Sequence, residues 1–166
     1  RGVFNRSSCR SMLPERRDPG YDFGTNPCSE IILRGNTQSG SGGGQFCNLT
    51  EVVARAEDSL QSLGEKVIMA TILGTLQSCL TDFKFLRAGW KKNCEEERLL
   101  GVSLTGIYDC KTLYNISVSD LTNLKDLAVK TNDIWAKKLG INQSAAVTCV
   151  KPSGTVSQLC NSSSGI

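Results

Sequence analysis

Two short apolar segments, set among long helical patterns, constrain the fold of this chain most strongly. Residues 99–106 are apolar and bounded by glycine, and residues 145–150 have the same character. Helical periodicity covers about 62–80 and about 120–139, before and between these segments. Short apolar runs of this kind are typical of strands buried inside a sheet. Their alternation with helices predicts an α/β architecture.

The first helical pattern, residues 62–80, has a wide apolar face, which is typical of a buried helix. Ser62 and Glu65 have the spacing of a capping box, so we expect the helix to begin at Ser62. Cys79 lies within this pattern. We therefore expect Cys79 to be buried as a small apolar side chain.

The remaining segments are predicted from breakers and charge. Gly140 is placed to end the second long helix. Residues 91–98 form a charged pattern that indicates a short helix, and residues 1–24 are expected to be irregular and basic. Residues 35–44 are an uncharged Gly/Ser-rich stretch, which is typical of a flexible loop.

Composition excludes several classes of protein. The chain has 166 residues, 39% of them hydrophobic and 21% charged, as in a globular domain. A net charge of +3 is too small to indicate a nucleic-acid partner. No apolar run approaches the ~20 residues that span a bilayer. We expect a cytoplasmic fragment of a longer chain, because it lacks an initiator Met and a signal-peptide pattern.

The eight cysteines do not have the spacing of a metal site. None is paired as C-x-x-C and the chain has no His, so we expect no bound metal. Their even number, together with several N-x-S/T sequons, leaves a secreted disulfide protein as a minor alternative.

The stretch 25–32 contains the clearest candidate chemistry. Pro27 favours extended geometry at Asn26, and side chains alternate along an extended chain. Asn26, Cys28 and Glu30 would then lie on one face, ~7 Å apart in turn. That face would carry an amide, a thiol and a general base whose pKa burial would raise towards neutrality. The alternative is an edge strand with a buried Cys28.

A second candidate site follows the last apolar segment. Residues 151–157 form a turn of glycine and small hydroxyl residues, which would expose backbone N–H groups and three hydroxyls. Such a turn at the start of a helix favours an anion. An ordinary turn with Ser or Thr capping is the alternative.

Three motifs in this order closely resemble the catalytic subunit of ribonucleotide reductase. They are Asn26-Pro27-Cys28-Ser29-Glu30-Ile31, then Phe46-Cys47-Asn48-Leu49, then Lys151-Pro152-Ser153-Gly154-Thr155-Val156-Ser157. Residues 2–6 and 93–106 look most like the adenosylcobalamin-dependent, triphosphate-reducing branch, class II. The resemblance covers essentially the whole chain.

The resemblance implies a ten-stranded α/β barrel with a central finger loop, of which this chain would supply about the second half. The finger loop would be about residues 20–34. Cys28 matches the cysteine that becomes a thiyl radical, Glu30 the general base, and Asn26 the amide that binds the ribose hydroxyls. Cys47 matches one of two cysteines that deliver reducing equivalents. Its family partner lies upstream of this chain.

The resemblance also implies a ribonucleoside triphosphate substrate, a nucleotide effector and a thioredoxin-like reductant. It implies adenosylcobalamin as cofactor, bound mostly outside this fragment, so we expect the fragment alone to be inactive. The substrate phosphates would be held by a loop whose members are Pro152, Ser153, Gly154, Thr155, Val156 and Ser157.

Two alternatives remain open at this point. One is the large subunit of the di-iron, two-subunit class I reductases. The other is a non-enzymatic α/β module that binds a phosphate ligand at residues 151–157. The Gly-rich stretch between Cys28 and Cys47 is an insertion relative to the shortest family members, so the position of Cys47 depends on how this loop folds.

Overall fold

The computed structural model describes residues 3–35 and 42–165. The predicted loop 35–44 therefore lies largely outside the described residues. The fold mixes helices with two small sheets. The strands are β1 (Phe23–Thr25), β2 (Ile32–Arg34), β3 (Asn48–Val53) and β4 (Leu100–Thr105). The helices are α1 (Arg6–Ser11), α2 (Leu60–Gln77), α3 (Ala88–Glu97), α4 (Lys111–Tyr114), α5 (Val118–Leu139) and α6 (Thr155–Leu159).

The central sheet is a parallel pair. β3 pairs with β4 from Asn48 opposite Leu100 to Val53 opposite Thr105. The strand predicted at residues 99–106 is confirmed as β4. All but one of its residues are buried, which agrees with its nearly continuous apolar sequence.

The strand predicted at residues 145–150 is only partly present. Its backbone runs beside β4, but a single parallel bridge, between Val102 and Thr148, is formed. Leu100 N donates to Ala146 O and Val102 N donates to Val147 O. β4 thus advances by two residues while its neighbour advances by one, and this mismatch prevents a regular ladder.

The helix α2 begins earlier than predicted. Ser59, not Ser62, is the N-cap: its side chain accepts from Ser62 N, while the Ser62 side chain accepts from Ser59 N. The helix ends at Gln77, so Cys79 lies beyond it and is exposed. The prediction of a buried Cys79 is wrong, because the residue falls after the last helical turn.

The predicted end of the second long helix is confirmed. α5 ends at Leu139, and Gly140 follows in the left-handed region with φ 65°. Its N–H donates to the carbonyls of Ala136 and Lys137. Glycine reaches this geometry without a Cβ clash, which explains why the helix ends here.

The main core lies between α2, α5 and one face of the central sheet. α2 approaches β4 closely at Gly74, where a Cβ would lie 3.2 Å from the Leu100 side chain. Buried aliphatic residues from the sheet and both helices fill this layer, where apolar burial is the main stabilising term. They include Val52, Leu63, Val67, Leu100, Val102, Leu124 and Ala128.

The N-terminal part is more ordered than predicted. Residues 1–24 were expected to be irregular, but Asn5 caps α1 by accepting from Ser8 N. Phe23 begins β1, which pairs antiparallel with β2. The described residues thus contain two separate strand pairs, and the ten-stranded barrel is not formed by them alone. None of the described helices is long and apolar enough to cross a membrane.

Candidate active site

The stretch that carries Cys28 is the loop of the β1–β2 hairpin, not an extended strand. Asn26 N donates to Ile31 O at 3.3 Å, and Ser29 N donates to Asn26 O at 3.0 Å. Ser29 adopts a positive φ of 63°. The prediction that an extended chain places Asn26, Cys28 and Glu30 on one face is therefore wrong. The Asn26 side chain accepts from Ile31 N at 3.1 Å, and such local bonds compete with strand pairing.

The hairpin loop nevertheless brings two of its predicted residues together. The Asn26 side chain lies near the Glu30 carboxylate and helps to lower the pKa of Glu30. Cys28 is exposed near the tip of the same loop, so the alternative of a buried Cys28 is also wrong. The loop therefore leaves the Cys28 thiol exposed and buries the Glu30 carboxylate.

Glu30 is the most unusual residue of this loop. Its side chain is only 1% exposed, and Oε1 accepts from Lys151 Nζ at 3.4 Å. Oε2 is buried without a partner among the described residues. Burial opposes ionisation, but hydrogen bonds from the backbone, Asn26 and Lys151, with the Lys151 charge, lower the pKa of Glu30 overall. The expected rise of this pKa is therefore wrong.

Two thiols converge beside Glu30 on the sheet face opposite α2. A Cβ at Gly101 would lie 3.2 Å from Cys47 Sγ and 3.1 Å from Cys149 Sγ, so the missing side chain leaves room for both sulfurs. Burial, then the neighbouring Cys149 and Glu30, raises the pKa of Cys47 to about 12. Burial and Glu30 raise the pKa of Cys149 to about 11. Both therefore remain thiols at neutral pH.

A second carboxylate lies on the same face. Glu51 Oε1 is buried and has no partner among residues 3–35 and 42–165. Burial raises the pKa of Glu51, while the Lys151 charge lowers it. Lys151 therefore acts electrostatically on Glu30, Glu51 and Cys149 together.

In the turn at residues 151–157, two of the three hydroxyls that were predicted to be exposed are buried. Ser153 and Ser157 are buried, each only 3% exposed. Ser153 Oγ accepts from Thr105 Oγ1 at 2.8 Å and from Gly165 N at 3.0 Å. Ser157 Oγ donates to Gly154 O at 2.9 Å. These two hydroxyls stabilise the turn, so the prediction that all three are exposed is wrong.

What the turn does present is backbone. Gly154 has φ 52° and ψ −115°, and α6 begins at the next residue, the exposed Thr155. The first N–H groups of a helix have no partner within it and point along its axis. Val156 N already donates to Ser153 O, so an anion at this turn would be held by the N–H groups of Gly154 and Thr155 and by the Thr155 hydroxyl.

Sequence reasoning missed Lys151, Cys149 and Glu51 as members of the site. Alternation along β3 places Cys47 and Glu51 on one face, and alternation along the last extended segment does the same for Cys149 and Lys151. That signal was available. It did not identify which face of the sheet would meet the hairpin loop.

The apolar cavity beside β4 does not fit adenosylcobalamin. A cavity of about 480 Å³ lies beside β4 and α5, and Cys149 is one of its lining residues. Its lining is mainly aliphatic and cannot satisfy the many amides of a corrin ring. Residues of this lining include Val67, Val102, Leu104, Ile107, Leu121 and Leu124.

Comparison with known proteins identifies the relatives of this chain. No protein-family profile matches it. It is 30% identical, over 99% of its length, to an adenosylcobalamin-dependent ribonucleoside-triphosphate reductase of Lactobacillus acidophilus. The chain is therefore similar in sequence to ribonucleotide reductases over nearly its whole length. Proteins of the same description from Lactobacillus leichmannii and Levilactobacillus brevis are 30% and 28% identical over 86% and 99% of the chain.

The chain spans about a quarter of the length of these reductases, 25%, 22% and 25% respectively. A solved crystal structure of a B-12 dependent (class II) ribonucleotide reductase matches 87% of the chain and 22% of its own, with a TM-score of 0.62 and 24% identity. This similarity shows that the chain folds like part of that solved structure. The suspected resemblance to ribonucleotide reductase is therefore confirmed.

Proposed function

We propose that the intact protein reduces ribonucleotides to 2′-deoxyribonucleotides by thiyl-radical chemistry, and that this chain supplies central parts of the site. The observation that carries the proposal is the environment of the Glu30 carboxylate. A carboxylate that is buried, ionised and left with one unpartnered oxygen, on the same loop as an exposed thiol, is costly unless it has a use.

In this proposal Cys28 acts on the C3′–H bond of the ribose, and Glu30 acts on the 3′-hydroxyl group attached to the same carbon. The Cys28 thiyl takes the hydrogen atom from C3′. Glu30 Oε2 accepts the 3′-hydroxyl proton, which requires a distance of ~3 Å. Because its pKa is lowered, Glu30 is already ionised at neutral pH. Asn26 orients Glu30 and binds the ribose hydroxyls. The radical at C3′ then eases departure of the 2′-hydroxyl.

Cys47 supplies reducing equivalents in the same proposal. Its high pKa keeps it as a thiol, able to give a proton to the departing hydroxyl. Reduction converts one ribose and two thiols into one deoxyribose, one water and one disulfide, so Cys47 needs a partner thiol. As in the family pattern, we assign that partner to a residue outside this chain.

The substrate phosphates are assigned to residues 152–157. Support comes from the backbone of Gly154 and Thr155 at the start of α6, rather than from the Ser153 and Ser157 hydroxyls. We extend the proposal to a cytoplasmic enzyme with a ribonucleoside triphosphate substrate, adenosylcobalamin, a nucleotide effector and a thioredoxin-like reductant. The cofactor site would lie mostly outside this chain, so no step is assigned to it.

The test is Cys28→Ser in the intact protein. We expect deoxynucleotide formation to be lost while nucleotide binding is retained, because serine does not form the equivalent radical readily. Cys79→Ser is the matched control, since Cys79 is also an exposed thiol but lies after α2. Product formation by quenched assay and substrate affinity by equilibrium dialysis measure the two effects. Appreciable turnover by Cys28→Ser would reject the assignment.

A further inference from the structure

We propose that Lys151 is a positioning residue that holds Glu30 as a carboxylate and connects the hairpin loop to the phosphate turn. The inference rests on the proposed function, because it takes Glu30 to be the general base. Neither the relatives' names nor the motif resemblance assigns a role to Lys151.

The contact itself joins two distant parts of the chain. Lys151 Nζ lies 3.4 Å from Glu30 Oε1, across a sequence separation of 121 residues. The lysine side chain is 23% exposed and the glutamate side chain 1% exposed. A pair this shielded from water interacts more strongly than a surface ion pair.

The backbone of Lys151 is fixed at the end of β4. Lys151 N donates to Ser103 Oγ at 3.1 Å. Its carbonyl oxygen lies close enough to Gly165 that a Cβ there would come within 2.4 Å of it. The ammonium group is therefore delivered to Glu30 from a fixed point rather than from a free loop.

The groups around Glu30 leave Lys151 with a distinct electrostatic task. Cys47 and Cys149 face Glu30 from the ends of two extended segments, Asn26 faces it from the hairpin, and Glu51 lies on β3. Of these four groups one is a carboxyl, Glu51, one is an amide, and the two thiols are uncharged at neutral pH. Among the described residues, Lys151 is the cation that hydrogen-bonds Glu30.

Removing the Lys151 ammonium would change the pKa of Glu30 in a defined direction. Without Lys151, burial would act on Glu30 without opposition from an ammonium, and the pKa of Glu30 would rise. The base would then be protonated over a wider acidic range. Activity would fall on the acid side of the pH profile and recover at higher pH, where Glu30 ionises again.

Lys151 also stands two positions before Ser153, whose hydroxyl anchors the turn to Thr105 and Gly165. A substrate whose phosphates bind at residues 152–157 would therefore restrain the segment that carries Lys151. Phosphate binding and the protonation state of Glu30 are connected through one side chain.

The experiment compares Lys151→Met, Lys151→Arg and Lys84→Met in the intact protein. Lys84 is exposed and serves as the charge-matched control. We expect Lys151→Met to lose about tenfold in kcat/KM on the acid side and to approach the parent at high pH. Lys151→Arg should restore the acid limb, and Lys84→Met should leave the profile unchanged. Equal loss for Lys151→Met at every pH would show a merely structural role and overturn the inference.

Glu30→Gln separates this inference from the proposed function. If Glu30→Gln retains turnover, Glu30 is not the base and the proposed function fails. If Glu30→Gln loses turnover but Lys151→Met keeps the parent pH profile, only the role of Lys151 fails. If the roles of Glu30 and Lys151 both hold, Lys151→Met should add no further pH dependence in the Glu30→Gln background.

Discussion

The two halves of this structure are held together by different forces. The layer formed by α2, α5, β3 and β4 is joined by aliphatic burial, with Leu63 and Ala128 completely or almost completely shielded from water. The hairpin β1–β2 is joined to α3 by ion pairs between side chains. Glu97, 1% exposed, accepts from Arg17 at 2.8 Å and from Arg34 at 2.9 Å.

The Glu97 carboxylate at the centre of this cluster accepts from three residues. Glu97 also accepts from Gln45 Nε2 at 2.7 Å, and Arg34 makes a second ion pair with Glu96 at 2.6 Å. Apolar burial is tolerant of small shifts, whereas bidentate ionic contacts fix orientation. The segment that carries Cys28 and Glu30 is therefore held by the more directional of the two kinds of contact.

The largest effect is expected from removing the Glu97 charge at the centre of the ionic cluster. Glu97→Gln would leave Arg17 buried without an anion, which costs about 3–5 kcal/mol. Leu63→Ala in the apolar layer should cost about 2–5 kcal/mol. We expect native-state hydrogen exchange to show Glu97→Gln opening the hairpin amides, and Leu63→Ala opening α2 and α5.

Glu57→Gln is the control for the ionic variant, because Glu57 is exposed and should change exchange in neither region. If Glu97→Gln and Leu63→Ala open the same amides to the same extent, the two regions form one cooperative unit and the distinction between them fails.

This contrast also explains how much the sequence could predict. Periodicity and breakers revealed β4, α5 and Gly140, because apolar burial and caps leave regular local patterns. The hairpin turn was not recognised, because its geometry depends on the Asn26 side chain bonding its own loop. The contact of Lys151 with Glu30 leaves no local signal, since it exists only once the fold brings both together.

A second prediction compares thiols of the two regions. Iodoacetamide reacts with thiolates, so it should label the exposed Cys28 and Cys79 well before Cys47, whose pKa is raised to about 12. This reverses the order that a buried Cys79 would give. Mass spectrometry of the reduced, native intact protein at successive times measures the rates. Faster labelling of Cys47 than of Cys79 would contradict the arrangement of sulfurs over Gly101.

The smallest expected effect concerns helix caps in the two regions. Ser59 caps α2, which contributes Leu63 and Val67 to the apolar core, so Ser59→Ala should destabilise that layer by about 1 kcal/mol. Asn5 caps the short helix α1 with the same type of bond. Only Cys9 of α1 is buried, so fraying of α1 is not coupled to the main core.

Asn5→Ala should therefore leave exchange in α2 and β4 unchanged, although it removes an equivalent hydrogen bond. The comparison uses amide exchange of the same core residues in both variants and in the parent protein. If Asn5→Ala slowed or sped exchange in the core as much as Ser59→Ala, the N-terminal helix would belong to the cooperative apolar unit. A cap stabilises a protein only as far as its helix is packed, and this pair of substitutions measures that dependence within one chain.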